Sequence, residues 1–524
     1  MSPNEEASAV DREWIEFGAG RSNTIVLSES EACVAKALLE EVQGHSNRLT
    51  LEISPMPANL DDLKARNEAV AARIDRLQTA LAPHKRLPSE LLSTIFFDTL
   101  DSGRAILVPD SPAESWPWPL RTVCSRWRDV AVSDIRLWDS VTCRMQKWDT
   151  KVGESLASVL QSITALCKAA PSRLEIDIHR YTDHGLEGYV QFEPFHLNSF
   201  PPLPTPITGI SLSLPPLCLI QFFHSSSSKF PSLTSLSLDL QHVRPMDHLL
   251  TELFYGASFF DDAHSLRKLT IRSSQDLSEI YIRPRIPWSQ LTKLDFSGQA
   301  LSALSVLQVL RQCRQLVVCL LWVEHDYFHF PPLQDIRIEN VAMPHLRSLM
   351  VRGKILEGNH FFARLLVPSL AELHFTMEYQ HTFTDLSGMI HRSRASLKIF
   401  EYDSNETYIS PEPSELEDFL ENTPSLAEFD AFLEIPRSTL RRVSRGELLS
   451  RLEVLKCVVA IDDLDALVAI FVNRKKRTGH LYALREVLIR VGEEGRESRL
   501  ERLRSLKEAY RIDFAVGPLY HTRS

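Results

Sequence analysis

The sequence predicts an α/β fold: a solenoid of repeats with one strand and one helix each, preceded by a small all-α unit and an N-terminal coiled-coil-like helix. Three observations carry this expectation. One apolar phrase, L-x-x-L-x-L, recurs over residues 206–489. Helix-patterned stretches fill the gaps between its copies. Before the copies begin, apolar residues keep mostly helical spacing. A chain of 524 residues suggests roughly three domains of ~150 residues each, a count that loses meaning for a repeat array.

Residues 1–29 open with "MSPNEEASAVDREW", acidic and polar, which is no signal peptide and reads as a disordered segment. Residues 30–82 carry the helical pattern. Leu60, Leu63, Asn67, Val70, Ile74, Leu77 and Leu81 are separated by alternating steps of 3 and 4, a heptad seam with an asparagine at one core position. The stretch 30–51, with Val34, Leu38, Leu39 and Val42, is positioned to fold back as its partner. Two readings stay open: a helical hairpin packed on the next domain, or self-association through the seam.

Residues 83–142 contain "RLPSELLSTIFFDTL" (86–100). Pro88 suits the first turn of a helix, where its missing N–H needs no partner, and Glu90 follows at the positive end of the helix dipole. Leu91, Leu92, Ile95 and Phe96 then make a wide apolar face on about three turns, too short to be stable unpacked. "PLRTVCSRWRDVAVSDIRLWDSV" (119–141) predicts a second amphipathic helix through Val123, Trp127, Val130 and Ala131. So much large apolar surface on a few short helices exceeds what their own core can hide, and the excess is a partner-binding candidate.

Residues 143–524 hold the repeats. "PSLTSLSL" (231–238), "HSLRKLTI" (264–271), "SQLTKLDF" (289–296), "PHLRSLMV" (344–351), "PSLAELHF" (368–375) and "PSLAEFDA" (424–431) are among the copies. The last apolar positions alternate, as a strand buried on one face requires. First leucines at 233, 266, 291, 316, 346, 370, 397, 426, 452 and 484 are 24 to 33 residues apart, room for a strand, a turn and a helix. Helices are expected at 301–313, 414–423 and 461–477.

Composition excludes several classes. The formal net charge of −10 offers no basic surface for nucleic acid. Eight scattered cysteines without a C-x-x-C pair disfavour disulfide frameworks and zinc clusters and fit a reducing cytoplasmic or nuclear compartment. The longest apolar run, "LVVCLLWV" (316–323), is far shorter than the ~20 residues of a membrane-spanning helix. No phosphate-binding glycine loop, H-E-x-x-H or G-x-S-x-G is present. "WVEHDYFHF" (322–330) pairs His325 and His329 at helical spacing, more in keeping with a loop than with a metal site. No cofactor and no catalytic residue is expected.

The repeats resemble an irregular leucine-rich-repeat solenoid. "LDFSGQALSAL" (294–304) comes nearest to that family's pattern, with Gln299 where an asparagine is usual, and the asparagine is missing from nearly every copy. The segment "LPSELLSTIF", "VCSRWRDVA" and "LW" resembles an F-box over about 55 residues. Its landmarks are Leu87-Pro88, Glu90, Ile95-Phe96, Val123-Cys124, Trp127 and Leu137-Trp138. With the heptad helix before it and irregular repeats after it, the chain is similar to the large F-box families of mushroom-forming fungi. "DSGRAILVPDSPAESWPW" (101–118) departs from that pattern as an inserted loop that would reshape docking.

The resemblance implies a substrate-recognition subunit of a cullin–RING ubiquitin ligase. The F-box would dock a Skp-type adaptor, and through it cullin, by Leu87, Pro88, Leu91, Ile95, Val123, Cys124 and Trp127, some of which would also be core. The repeats would hold a protein substrate. Thr270, Asp295, Met350, His374 and Glu401, at outward positions of a concave face, are candidates for that contact, with plain surface as the other reading. The alternative function is a non-catalytic repeat scaffold whose F-box-like helices only cap the solenoid.

Overall fold

Most of the described copies of the phrase fold the same way, and the computed structural model of the chain shows why. A turn comes first: the N–H of Leu233 bonds the carbonyl of Phe230, and Leu266, Leu291, Leu346, Leu370, Leu426 and Leu452 each reach back three residues in the same way. The turn drives the leucine inside, where Leu233, Leu266, Leu291, Leu346, Leu426 and Leu452 are fully buried. The next residue then turns its carbonyl to the following copy and accepts two successive N–H groups. Thr234 accepts from Arg267 and Lys268, Thr292 from Val317 and Val318, and Arg347 from Ala371 and Glu372. Among the described residues nine carbonyls do this, at 2.7–3.1 Å. The strand begins directly after the clamp.

The structure describes residues 29–53, 60–81, 87–100, 103–108, 115–145, 172–178, 207–214, 230–240, 263–273, 286–324, 339–353, 361–377, 383–404, 411–459, 463–476, 486–491 and 515–518, with a few single positions between them. The chain divides into two compact units, Met1–Ile207 and Thr208–Ser524.

In the first unit, helices α1 (Glu29–Ile53) and α2 (Leu60–Ala80) pack against each other. Helix α1 buries Ala35, Val42 and Leu49, one heptad apart, whereas Val34, expected in the seam, is exposed. From α2, Leu77 is buried; Asn67, Val70 and Ile74 are half-buried, and the side chains of Leu60 and Leu63 lie outside the described residues. Helix α3 (Ser89–Asp98) follows, then strand β1 (Ala105–Leu107), helices α4 (Leu120–Val123) and α5 (Ser125–Ser133), and strands β2 (Ser140–Met145) and β3 (Arg173–Ile178).

Two expectations need correction here. The segment 83–142 is not all-α, because the inserted stretch supplies β1, which pairs parallel with β2 (Ala105 opposite Val141), and β2 pairs with β3. Ile106 and Trp116 exchange backbone bonds at 2.7 and 2.8 Å, closing the insert on itself. The helix through Val123 and Trp127 is two helices: Cys124 is extended (φ −159°, ψ 170°) and separates α4 from α5. The boundary read at 142/143 falls within β2.

The second unit is a parallel sheet with helices on one side. Its strands are β4 (Gly209–Ser213), β5 (Ser235–Leu240), β6 (Lys268–Ser273), β7 (Lys293–Ser302), β8 (Val318–Glu324), β10 (Ser348–Gly353), β12 (Glu372–Met377), β13 (Ile399–Ser404), β14 (Glu428–Glu434), β15 (Val454–Val458), β16 (Glu486–Val491) and β17 (Ala515–Pro518), paired in that order. Strands β9 (Val341–Ala342) and β11 (Leu365–Leu366) form a separate parallel pair.

Helices α6 (Ala303–Gln312), α7 (Phe383–Ser393), α8 (Pro413–Glu421), α9 (Arg437–Arg445) and α10 (Leu464–Lys476) lie in the gaps; α6, α8 and α10 fall where the sequence places them. Ser302 starts α6 by accepting from the N–H of Ser305, Pro413 opens α8, and Gly446, at φ 76°, ends α9 in the left-handed conformation that glycine adopts without strain. Inward strand residues meet the helices in an aromatic cluster. Phe400 of β13 has ring centroids of Phe419 at 4.7 Å, Phe429 at 5.7 Å and Phe383 at 6.2 Å.

The ladder is least regular where the sequence comes nearest to the family pattern. Opposite β8, β7 steps from Phe296 paired with Leu321 to Ala300 paired with Trp322, so residues 297–299 bulge out of register. One glycine is required by a close approach. Gly353 ends β10 at φ 138°, and a Cβ there would lie 1.8 Å from the carbonyl oxygen of Val323. Gly353→Ala should therefore destabilise the second unit by about 1–3 kcal/mol, read as a lowered denaturation midpoint; an unchanged midpoint would show that β8 and β10 are not held this closely.

Candidate functional site

Two surfaces stand out, one on each unit. The first is built on α3. Pro88, extended at ψ 149°, precedes the helix and its carbonyl accepts the N–H of Leu92 at 3.0 Å. Because apolar side chains come in adjacent pairs, they split onto two faces. Leu92 and Phe96 turn inward and are fully buried, Phe96 meeting Trp127 edge-on at 4.9 Å. Leu91 and Ile95, one helical turn apart, turn outward and are 52% and 45% exposed. The buried Trp138 donates its Nε1–H to Ala131 at 2.7 Å and stands edge-on to Trp118, whose ring carries the Arg121 guanidinium at 4.3 Å.

The short 3-10 turn Ile135–Leu137 is tied to α3 by polar contacts. Asp134 accepts from Ser93, and Arg136 donates to Asp134 at 2.8 Å and to Ser93 at 2.7 Å. Burial works against the Asp134 carboxylate, but the hydrogen bonds from Arg136 and Ser93 outweigh it and hold its pKa below the ordinary 3.8. The turn also presents Ile135, which is 58% exposed. Among the described residues the exposed large apolar side chains are Val34, Leu51, Leu91, Ile95 and Ile135, all in the first unit.

Of the residues assigned to adaptor docking, Pro88, Leu91 and Ile95 are exposed and Leu87, Val123 and Trp127 are half-buried. Cys124 is a correction: it is wholly buried, and its Sγ accepts the N–H of Trp127 at 3.4 Å, so it caps α5 instead of facing a partner. Ile135 is an addition that the sequence reading lacks. Its only signal is a large apolar residue beside the "RLW" pair, whose Leu137 and Trp138 fill the core.

The second surface is the face of the sheet turned away from the helices. The five positions proposed for substrate contact fall in one register row. Thr270 is opposite Asp295, Asp295 opposite Leu320, Leu320 opposite Met350, Met350 opposite His374, and His374 opposite Glu401. All are half-buried. The row continues through Asp430 to Lys456. Lys268, Arg272, Lys293 and Trp322 share this face and are additions too, although they occupy outward positions of the same strands.

Charge along the row is partly paired. Asp295 accepts the N–H and the hydroxyl of Ser297 at 3.1 and 2.7 Å. His374 Nδ1 lies 2.6 Å from Glu401, and Lys456 is 3.7 Å from Asp430 and 3.8 Å from Glu428. The hydrogen bond with Glu401 raises the His374 pKa above its ordinary 6.5; burial opposes this, and the charges of Glu401, Glu372 and Glu428 add to it. Buried thiols offer no nucleophile: desolvation pushes Cys143 and Cys313 up to about 12.

Among the described residues no group of three His, Cys, Asp or Glu is arranged to hold a metal ion, and no helix is long and apolar enough to cross a membrane. His325 and His329 lie outside the described residues. No family model matches the chain, and no curated protein is similar to it.

The His374–Glu401 pair has a pH signature. A raised folded-state pKa means that its stabilisation is complete below about 6.5, the unfolded value, and fades as pH rises through the folded value. The loss of thermal midpoint in His374→Gln should therefore be larger at about pH 5.5 than at about pH 8.5. A loss that does not change with pH would mean that the pair carries no charge.

Proposed function

We propose that this chain is the substrate-recognition subunit of a cullin–RING ubiquitin ligase. Helix α3 docks the Skp-type adaptor and the sheet face of the second unit holds a protein substrate. The observation that carries this is the two-faced α3: Leu92 and Phe96 are fully buried, while Leu91 and Ile95 remain uncovered on the same ten-residue helix. Uncovered leucine and isoleucine side chains on a helix this short are most economically explained as anchors for a second protein. The protein performs no chemistry of its own. It holds a substrate near a ubiquitin-charged enzyme, and a tethered substrate reacts at the effective concentration set by the linkage.

One observation favours the scaffold reading. Strand β1, from inside the helical segment, is the first strand of the β1–β2–β3 sheet, and Arg104 beside it is tied to Glu175 of β3. Helices built into a sheet in this way serve equally well as its cap.

Size exclusion of the full chain mixed with the Skp-type adaptor separates the two. The wild type should co-elute, and Leu91→Asp with Ile95→Asp should abolish co-elution, since each anchor lost costs about 2 kcal/mol or more, roughly thirtyfold in affinity. Both residues are exposed, so the variant's thermal midpoint should stay within about 2 °C of wild type. Absence of co-elution for the wild type at micromolar concentration would favour the scaffold.

A further inference from the structure

The run "LVVCLLWV" is apolar at every position, the pattern of a strand covered on both faces. Strand β8 has no polar side for most of its length. Cys319, Leu321 and Val323 are fully buried towards the helices, and Val318, Leu320 and Trp322 point to the opposite face, only half-buried. Met350 of β10 lies opposite Leu320 on that face. An apolar strip therefore crosses the middle of a face whose other outward residues are mostly polar, Ile399 of β13 and Val454 of β15 being apolar, and among the described residues no helix of this unit covers it.

The strip is flanked by charge of opposite sign. On one side, Lys268 and Arg272 of β6 and Lys293 of β7 form no ion pair with any described residue. On the other, β12 to β14 carry Glu372, Glu401, Asp403, Glu428 and Asp430 on the same face, with His374 of β12 and Lys456 of β15 as cations paired to them. Arg352 of β10, opposite Trp322, stands at the boundary. The carboxylates are in excess on β12 to β14, and on β5 to β7 the three cations outnumber Asp239, which stands opposite Arg272, and Asp295. From β6 to β12 is four strand steps, about 19 Å at ~4.8 Å each, the reach of roughly six residues of extended chain. That exceeds the Debye length of about 8 Å at physiological salt, so the two flanks act on different ends of a ligand.

We propose that this face binds an extended protein segment with a large apolar residue at its centre, lysine or arginine on one arm and aspartate or glutamate on the other. The apolar residue sits on Leu320, Trp322 and Met350. The basic arm lies over β12 to β14 and the acidic arm over β6 and β7. Aromatic and aliphatic side chains at the centre supply most of the affinity, and the charged flanks fix which way the segment lies. The proposal rests on this face being the substrate-holding surface, and it names the chemistry of the substrate.

Fluorescence anisotropy with the full chain and four labelled nine-residue peptides tests it: acidic–apolar–basic, acidic–polar–basic, basic–apolar–basic and acidic–apolar–acidic. The first should bind with the lowest Kd, and each of the others roughly tenfold or more weakly. Lys268→Glu with Lys293→Glu should reverse the preference in favour of the basic–apolar–basic peptide, a gain of binding that an unfolded variant cannot give. Trp322→Ser should weaken the first peptide by a similar factor without altering the order of the charge variants. Equal affinity for all four peptides, or no binding of any up to about 1 mM, would overturn the proposal. Adaptor co-elution reads α3 in the other unit, so either result leaves it independent.

Discussion

The second unit depends on one repeated constraint. A leucine is fixed inside by a turn, and the residue after it offers one carbonyl to two N–H groups of the next copy. A buried leucine contributes about 1.5–3 kcal/mol by leaving water, and each backbone bond adds a net ~1 kcal/mol. Neither is strong alone. Together they fix the starting register of each strand against its neighbour, and the rest of the strand follows except where β7 and β14 shift. The gaps between copies vary in length without disturbing the sheet, because nothing in the clamp depends on them.

Register explains why the outward face has an ordered chemistry. A slip by one residue would turn every inward side chain out. With the start of each strand fixed, residues at the same position in the phrase line up across strands, and His374 comes to stand 2.6 Å from Glu401 although they are 27 residues apart. Lys456 finds Glu428 and Asp430 by the same route. The bulge at 297–299 is one local exception, with Gly298 so close to Arg272 that a Cβ would lie 2.5 Å from its Cγ, and the shift between β14 and β15 after Asp430 is another.

The first unit solves a different problem. Its helices α3, α4 and α5 are too short to be stable separately, and they gain stability by joining their buried faces around Phe96, Leu120, Leu137 and Trp138. The side chains left over are those one position removed from the core, Leu91 and Ile95, and they give the unit an uncovered apolar face. The insert is absorbed into the architecture as β1, with its Trp116 closing the outer edge at Ile106.

Sequence alone determined the repeat phrase, the strands it builds, the helices α6, α8 and α10, and the outward positions that fall in one row. These are local matters of period, turn residues and helix ends, which a chain carries wherever it is placed. It left out α7 and α9, whose apolar spacing is short and interrupted by polar residues, and it merged α4 with α5 because periodicity cannot register one extended residue. Tertiary structure alone decided which member of each apolar pair on α3 is buried, that Cys124 is a cap, and that residues 105–107 pair with β2. Each of those outcomes depends on what stands opposite the residue in space, and the neighbour that decides it is distant in the chain.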